Sequence, residues 1–485
     1  MNMLIEEEER TIVAYERGLT NLHGVLNDLT EKKGSLGERI KQRRAAVSVN
    51  RRIPVELWEE IFVLVCSTLG YSLALGLSLG VPMTPTITMP HVCSRWRDIL
   101  LNAPALWASI GINFSRPPAS SQRLLESHLR NSKQHPLHID LRESHTYPNI
   151  VEGNQALWDS LTSHFYRCET LSCFNSVRSF EIPRGSLSNL TTLKDGSMGG
   201  SAAWKAAIKD APKLTSLTLV RLVYPVHALP YRQLTSLKCY RLNYDGVERL
   251  IRQVLPSCTK LESIALMELD EYPGLDGVSG NDFSHSELTE LLNLRTLSVS
   301  PSGPQSAISL MSLTSPFYET ILSIKAPALT TLRLTMYVGK EAEEWAPHFL
   351  DFLERASACL KSLSLSLFVL YSTDLHTRPL SRLLELVPNL LEFNFVSAAI
   401  CRPGWSYGQW QESDDSLSQL LGDLFRELGS MPLASKLTDI SISIMNYMVL
   451  TSDFLGLVID VVESRLRLSK LVHPGASSNV RPLVN

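Results

Sequence analysis

The chain lacks most of what would mark an enzyme or a secreted protein. Its 485 residues contain no G-x-x-x-x-G-K-[ST] loop and no G-x-G-x-x-G after a strand pattern, so no phosphate cradle is written. There is no G-x-S-x-G elbow to expose a nucleophile. The eight cysteines are scattered without a regular framework, which points to a reducing cytoplasmic or nuclear setting. A net charge of -3 supplies no global field for nucleic acid or an acidic membrane. The first ten residues, M-N-M-L-I-E-E-E-E-R, are acidic and do not read as a secretory signal. His164 lies near Cys168 and Cys173, and His135 near His138, but neither group has a full ligand set at metal spacing. No catalytic residue, metal or cofactor is expected.

Charge is also missing from one long segment. Ile61 to Ser94 contains no Asp, Glu, Lys or Arg. Ile61 to Val81 is long enough to cross a bilayer, and Gly76 and Gly80 have helix-dimer spacing. Against a span stand Glu56, Glu59 and Glu60 beside it, four serines and threonines within it, and Pro82 and Pro85 at its end. A buried helix followed by a loop is the preferred reading; a membrane-anchored protein is the alternative.

What the chain does have begins with a heptad. Ile5, Ile12, Leu19, Leu26 and Ile40 fall on one position, and Tyr15, Leu22, Leu29 and Leu36 on the other, with Glu8 and Lys33 interrupting. Four glycines weaken the helix at roughly 1 kcal/mol each. A homodimer through residues 4–40 and a helix folded on its own chain both remain open. The basic stretch Arg39 to Arg52 suits a helix C-terminus, with a nuclear-import patch as the alternative.

Two short runs follow. In I-P-V-E-L-W-E-E-I-F, Pro54 suits a first helical turn, and Leu57, Trp58, Ile61, Phe62 and Val65 recur at helical spacing. In V-C-S-R-W-R-D-I-L-L-N-A-P-A-L-W, Val92, Trp96, Ile99 and Leu100 share a face, and Asn102 and Pro104 stop the helix. Cys93 reads as a small core residue within that helix rather than a nucleophile. Large apolar anchors in so small a module suit a helical docking surface.

Together the runs resemble the F-box, closely so the version in a large group of fungal F-box proteins. Ile53, Pro54, Glu56, Leu57, Trp58, Ile61, Phe62, Val92, Cys93, Trp96, Arg97, Pro104, Leu106 and Trp107 carry the match. The segment from Cys66 to Met89 departs from the family pattern, being long and apolar. The resemblance implies docking on the Skp-type adaptor of a Skp–cullin–F-box ubiquitin ligase through Ile53, Pro54, Leu57, Trp58, Ile61, Phe62, Val92, Cys93, Trp96, Leu100, Leu106 and Trp107. A scaffold with a degenerate F-box outside any ligase is the alternative.

From residue 115 onward, strand patterns of the form L-x-x-L-x-L alternate with helical ones. They include Leu137/Ile139/Leu141, Val177/Phe180/Ile182, Leu214/Leu217/Leu219, Leu234/Leu237/Cys239, Leu261/Ile264/Leu266, Leu294/Leu297/Val299, Leu329/Leu332/Leu334, Leu360/Leu363/Leu365, Leu390/Phe393/Phe395 and Leu437/Ile440/Ile442. Helices are expected through Val247–Leu255, through Leu350, Leu353 and Leu360, through Leu417–Leu428 and through Phe454–Val462. Strand–helix units recurring at roughly 20–35 residues predict a leucine-rich-repeat solenoid with a curved parallel sheet, whose units bury their apolar faces by stacking. A compact α/β domain is the alternative. The expected fold class is therefore α/β: a helical segment over 1–48, an all-α F-box over 49–114, repeats over 115–472 and a tail over 473–485. F-box proteins commonly carry such repeats to bind a target protein. The outward strand positions, Thr218, Lys238, Ala265, Ser298, Arg333, Ser364, Asn394 and Ser441, would line the concave sheet. They form no basic stripe for nucleic acid. Lys238, Arg333 and Asn394 are the candidate target contacts.

Overall fold

The structure, a computed structural model, describes residues 2–47, 52–68, 70–76, 84–114, 120–142, 151–174, 182–196, 202–220, 229–269, 289–301, 321–338, 345–356, 358–369, 385–399 and 437–445. It forms two compact units. The first is Met1–Gly70 with Pro85–Leu106; the second is Tyr71–Thr84 with Trp107–Asn485.

The first unit is helical. α1 (Asn2–Val47) has every described side chain exposed. α2 (Val55–Thr68) starts after Pro54, whose carbonyl accepts the Trp58 N–H at 3.3 Å. Proline suits this place because no N–H is needed there. A single turn, α3 (Pro85–Thr88), precedes α4 (Ser94–Asn102), which ends before Pro104 as the sequence predicts. Cys93 departs from expectation. It is the extended residue before α4 and is exposed, not a core residue within the helix.

The second unit is built on one parallel sheet of 13 strands among the described residues, paired in chain order. They are β1 (Leu73–Leu75), β2 (Ser109–Asn113), β3 (Leu137–Arg142), β4 (Cys168–Phe174), β5 (Thr192–Asp195), β6 (Ser216–Val220), β7 (Ser236–Tyr240), β8 (Ser263–Leu269), β9 (Thr296–Pro301), β10 (Thr331–Val338), β11 (Ser362–Val369), β12 (Glu392–Ala399) and β13 (Asp439–Met445). From β6 onward the register is the one written in the sequence. Leu217, Leu237, Ile264, Leu297, Leu332, Leu363, Phe393 and Ile440 pair strand to strand. The first leucine of the motif is buried in the turn before its strand at Leu214, Leu234, Leu294, Leu329 and Leu360, and half-buried at Leu437. Side chains alternate across the pleat, so the apolar set forms one continuous core; from β6 onward the intervening residues are half-buried or exposed, whereas Ala74, Asp140 and Ser172 on the first strands are buried on that face too.

Amides stitch successive units at the turn. The residue before the first leucine reaches back one unit: Asn189 Nδ2 donates to the Tyr166 carbonyl at 2.7 Å, Asn293 to Thr259 at 2.9 Å and Asn389 to Ala358 at 3.0 Å. Gln233 does the same to Ala211 at 2.7 Å. Each satisfies a turn carbonyl that the ladder leaves over.

Three expectations are corrected. β2 belongs to the sheet and not to the helical module, which the sequence pattern extends as far as residue 114. The strand expected at Val177/Phe180/Ile182 is not at Ile182, which is buried but outside any strand; Val177 and Phe180 lie outside the described residues. The strands in this region are β4 and β5. Leu360 lies beyond the helix Trp345–Ala356, in the following turn. The helices expected through Leu417–Leu428 and Phe454–Val462, and the tail over 473–485, lie outside the described residues.

The uncharged run from Ile61 does not form a single helix. α2 ends at Thr68, and β1 takes up Leu73–Leu75. No described helix is long and apolar enough to cross a membrane.

Candidate functional sites

α2 carries two apolar stripes. Trp58, Phe62 and Cys66 are spaced by four and are buried. Phe62 stacks on Trp58 with centroids 5.5 Å apart and meets the edge of Trp96 at 5.0 Å, while Trp58 and Trp96 lie 4.9 Å apart. Three rings at these distances form a compact aromatic core. Arg95 Nη2 ties the module's entry to α4 by donating to the Ile53 carbonyl at 2.6 Å.

The second stripe is Leu57, Ile61 and Leu64, at i, i+4 and i+7, with exposures of 48%, 41% and 62%. A helix apolar on both sides normally has both covered. Val92, just before α4, is exposed as well.

The residues expected to dock a partner therefore divide. Leu57, Ile61, Val92, Pro54 and Cys93 are exposed, and Ile53 and Trp96 are half-buried. Trp58, Phe62, Leu100 and Leu106 are buried and are not surface contacts in this structure. Leu64 was not singled out from the sequence, though its spacing from Leu57 and Ile61 was there to find it.

Trp107 belongs to the second unit, not the helical module. Its ring lies against His128 at 4.9 Å. His128 sits in α5 (Ser121–Asn131), fully buried, with Nδ1 2.9 Å from the Leu124 carbonyl. Burial pushes its pKa down to about 4, outweighing the backbone hydrogen bonds that raise it. The unfolded chain thus takes up a proton near pH 6.5 that the folded chain refuses until about pH 4. This contribution to stability is intact above pH 6.5 and is lost as pH falls through that window. The loss should reach about 3 kcal/mol by pH 4. Urea unfolding at pH 7 and pH 4.5, compared between wild type and His128→Gln, checks it. The variant's stability should fall less on acidification.

β1 is held by a polar cluster within the second unit. The Tyr71 hydroxyl donates to Asp140 Oδ2. Arg142 donates to the same carboxylate from Nε at 3.0 Å and to Tyr71 Oη from Nη2 at 3.1 Å. Burial, then Asp140, push Tyr71 up to about 12, so it remains a donor at neutral pH.

On the solvent face of the sheet the candidate target contacts share one row. Lys238, Ala265, Ser298, Arg333, Ser364 and Asn394 are successive partners across β7 to β12. Asn394 Nδ2 donates to Ser364 Oγ at 3.2 Å, and Arg333 is exposed. At the β5–β8 end of the row, Lys194, Thr218, Lys238, Tyr240, Arg241 and Glu268 line a cavity of about 510 Å³. Lys238 Nζ lies 4.9 Å from the Tyr240 ring centroid, and Arg241 pairs with Glu268 at 3.0 Å. Lys194, Tyr240, Arg241 and Glu268 were not expected here. Lys194 follows from strand alternation once β5 is recognised, and Tyr240 from the alternation of β7 itself.

Among the described residues no group of three His, Cys, Asp or Glu side chains is placed to hold a metal ion. Cys168 and Cys173 are buried in β4, and burial raises both thiols well above their ordinary range. No protein-family model matches the chain, and no similar protein was found among curated ones.

Proposed function

We propose that the chain is the target-selecting adaptor of a Skp–cullin–F-box ubiquitin ligase, itself without catalytic activity. The helical unit serves as its F-box, and the parallel sheet as a leucine-rich-repeat array that holds the target. One observation carries the reading. α2 exposes Leu57, Ile61 and Leu64 on one side while its other side is an aromatic core, and two of the three are residues of the F-box resemblance. An apolar stripe on a rigid helix is the surface that a helical adaptor covers. The row from Lys238 to Asn394 is the target surface, and the ligase gains rate by holding a target at high effective concentration.

The second reading, a repeat scaffold outside any ligase, is favoured by one feature. Tyr71–Thr84 leaves the helical sequence to contribute β1 to the sheet, a departure from a self-contained module. Co-purification of the full chain with the Skp-type adaptor separates the two. Wild type should retain the adaptor, and Leu57→Asp/Ile61→Asp should weaken binding on the order of a hundredfold. Its melting temperature should change little, because both side chains are exposed. Undiminished adaptor binding by this variant would remove the ligase reading.

A further inference from the structure

We propose that α1 pairs antiparallel with α1 of a second copy of the chain, with Ile12 on Leu29, Leu19 on Leu22, and Glu8 on Lys33. The inference is independent of the ligase reading.

α1 is 46 residues long and leaves Ile5, Ile12, Leu19, Leu26 and Leu36 among its exposed apolar side chains. Gly18, Gly24, Gly34 and Gly37 interrupt it, each costing about 1 kcal/mol relative to alanine. None falls on the heptad seam. A helix so weakened gains its stability chiefly from covering an apolar face. Its intrahelical ion pairs are Arg10–Glu6, Lys32–Asp28 and Lys41–Glu38; Glu8 and Lys33 take part in none of them.

Those two residues choose the partner's direction. They are the polar breaks in an otherwise apolar seam, Lys33 at the first heptad position and Glu8 at the second. Parallel pairing sets like positions side by side, so Glu8 would meet Glu8 and Lys33 would meet Lys33. Reversing one helix sets first positions against second positions. A single register then pairs Glu8 with Lys33 and keeps every intervening layer apolar, with the two-fold axis between Thr20 and Asn21. The same register sets Glu9 level with Lys32. From Ile5 to Leu36 the overlap is about 48 Å long, over four heptads.

Charge reversal in the full-length chain tests the pairing. Light scattering across a concentration series should give a dimer for wild type. Glu8→Lys alone and Lys33→Glu alone each create two like-charge layers and should raise the dimer Kd on the order of tenfold or more. Glu8→Lys/Lys33→Glu together swap the signs and should return the Kd to the wild-type value. Circular dichroism, recorded at a concentration that keeps each variant dimeric, should match wild type, since both positions are exposed on the single helix. A parallel dimer has repulsive layers in wild type, so neither single reversal would weaken it. A wild-type monomer, single variants that dimerise like wild type, or a double variant that stays weak would each overturn the proposal.

Discussion

Leu332→Asp should unfold the strands around β10, while Arg333→Glu, the next residue, should leave the melting temperature within a degree or two. Leu332 is 0% exposed and pairs with Leu297 on β9 and Leu363 on β11 in the centre of the leucine ladder. An aspartate there has no cation within the ladder and must either hold a buried charge or take up a proton. Either course, added to the lost packing, costs on the order of 5 kcal/mol, comparable to the whole net stability of many domains. Arg333 points to the opposite face between Ser298 and Ser364, where a carboxylate remains hydrated. Stability in a linear stack passes from neighbour to neighbour, so the damage should centre on β9 to β11. Hydrogen exchange resolved by segment is the measurement. Equal loss of protection in both variants, or a harmless Leu332→Asp, would show the register to be wrong. On the proposed function, Arg333→Glu should nevertheless weaken capture of the target.

That register could be read directly because a sheet buried on one side enforces strict alternation, and the leucine of the preceding turn repeats with it. The strands that escaped reading lack one part of that signal. β1 is Leu73-Ala74-Leu75, three buried residues in a run so uniformly apolar that no alternation shows. β2 contains Gly111, which has little strand preference of its own, and is a strand because β1 and β3 flank it. In β4 the pattern is present but written with Cys168 and Cys173, whose nearness to His164 draws attention to metal binding rather than to a strand. In β5 the last apolar place is taken by Asp195, buried, with the Trp204 Nε1 3.4 Å from its Oδ2. The helical module shows the same limit. Spacing identified the apolar residues of α2, but both stripes have helical periodicity, so only packing separates Trp58 and Phe62 from Leu57 and Ile61.

Phe62→Ala tests that division within one helix. Phe62 is 1% exposed and touches both tryptophan rings of the core. Its removal leaves a cavity between Trp58 and Trp96, which can close only if α2 and α4 shift. Truncations of this kind cost about 3–5 kcal/mol, a large share of what so small a helical module can supply. Amides of Val55–Thr68 and Ser94–Asn102 should therefore exchange faster by two orders of magnitude or more. Those of β6 to β9, held by their own ladder, should keep their protection. Leu57→Asp, only five residues away, should leave exchange in α2 largely unchanged, because its side chain is 48% exposed and a carboxylate there stays hydrated. On the proposed function both variants lose the Skp-type adaptor, for different reasons. Phe62→Ala loses the helix that presents the surface, and Leu57→Asp loses the surface alone. If Phe62→Ala kept its protection, the aromatic cluster would not be the core of the module. If Leu57→Asp lost its protection, the outer stripe would be structural, and its exposure could no longer support a docking role.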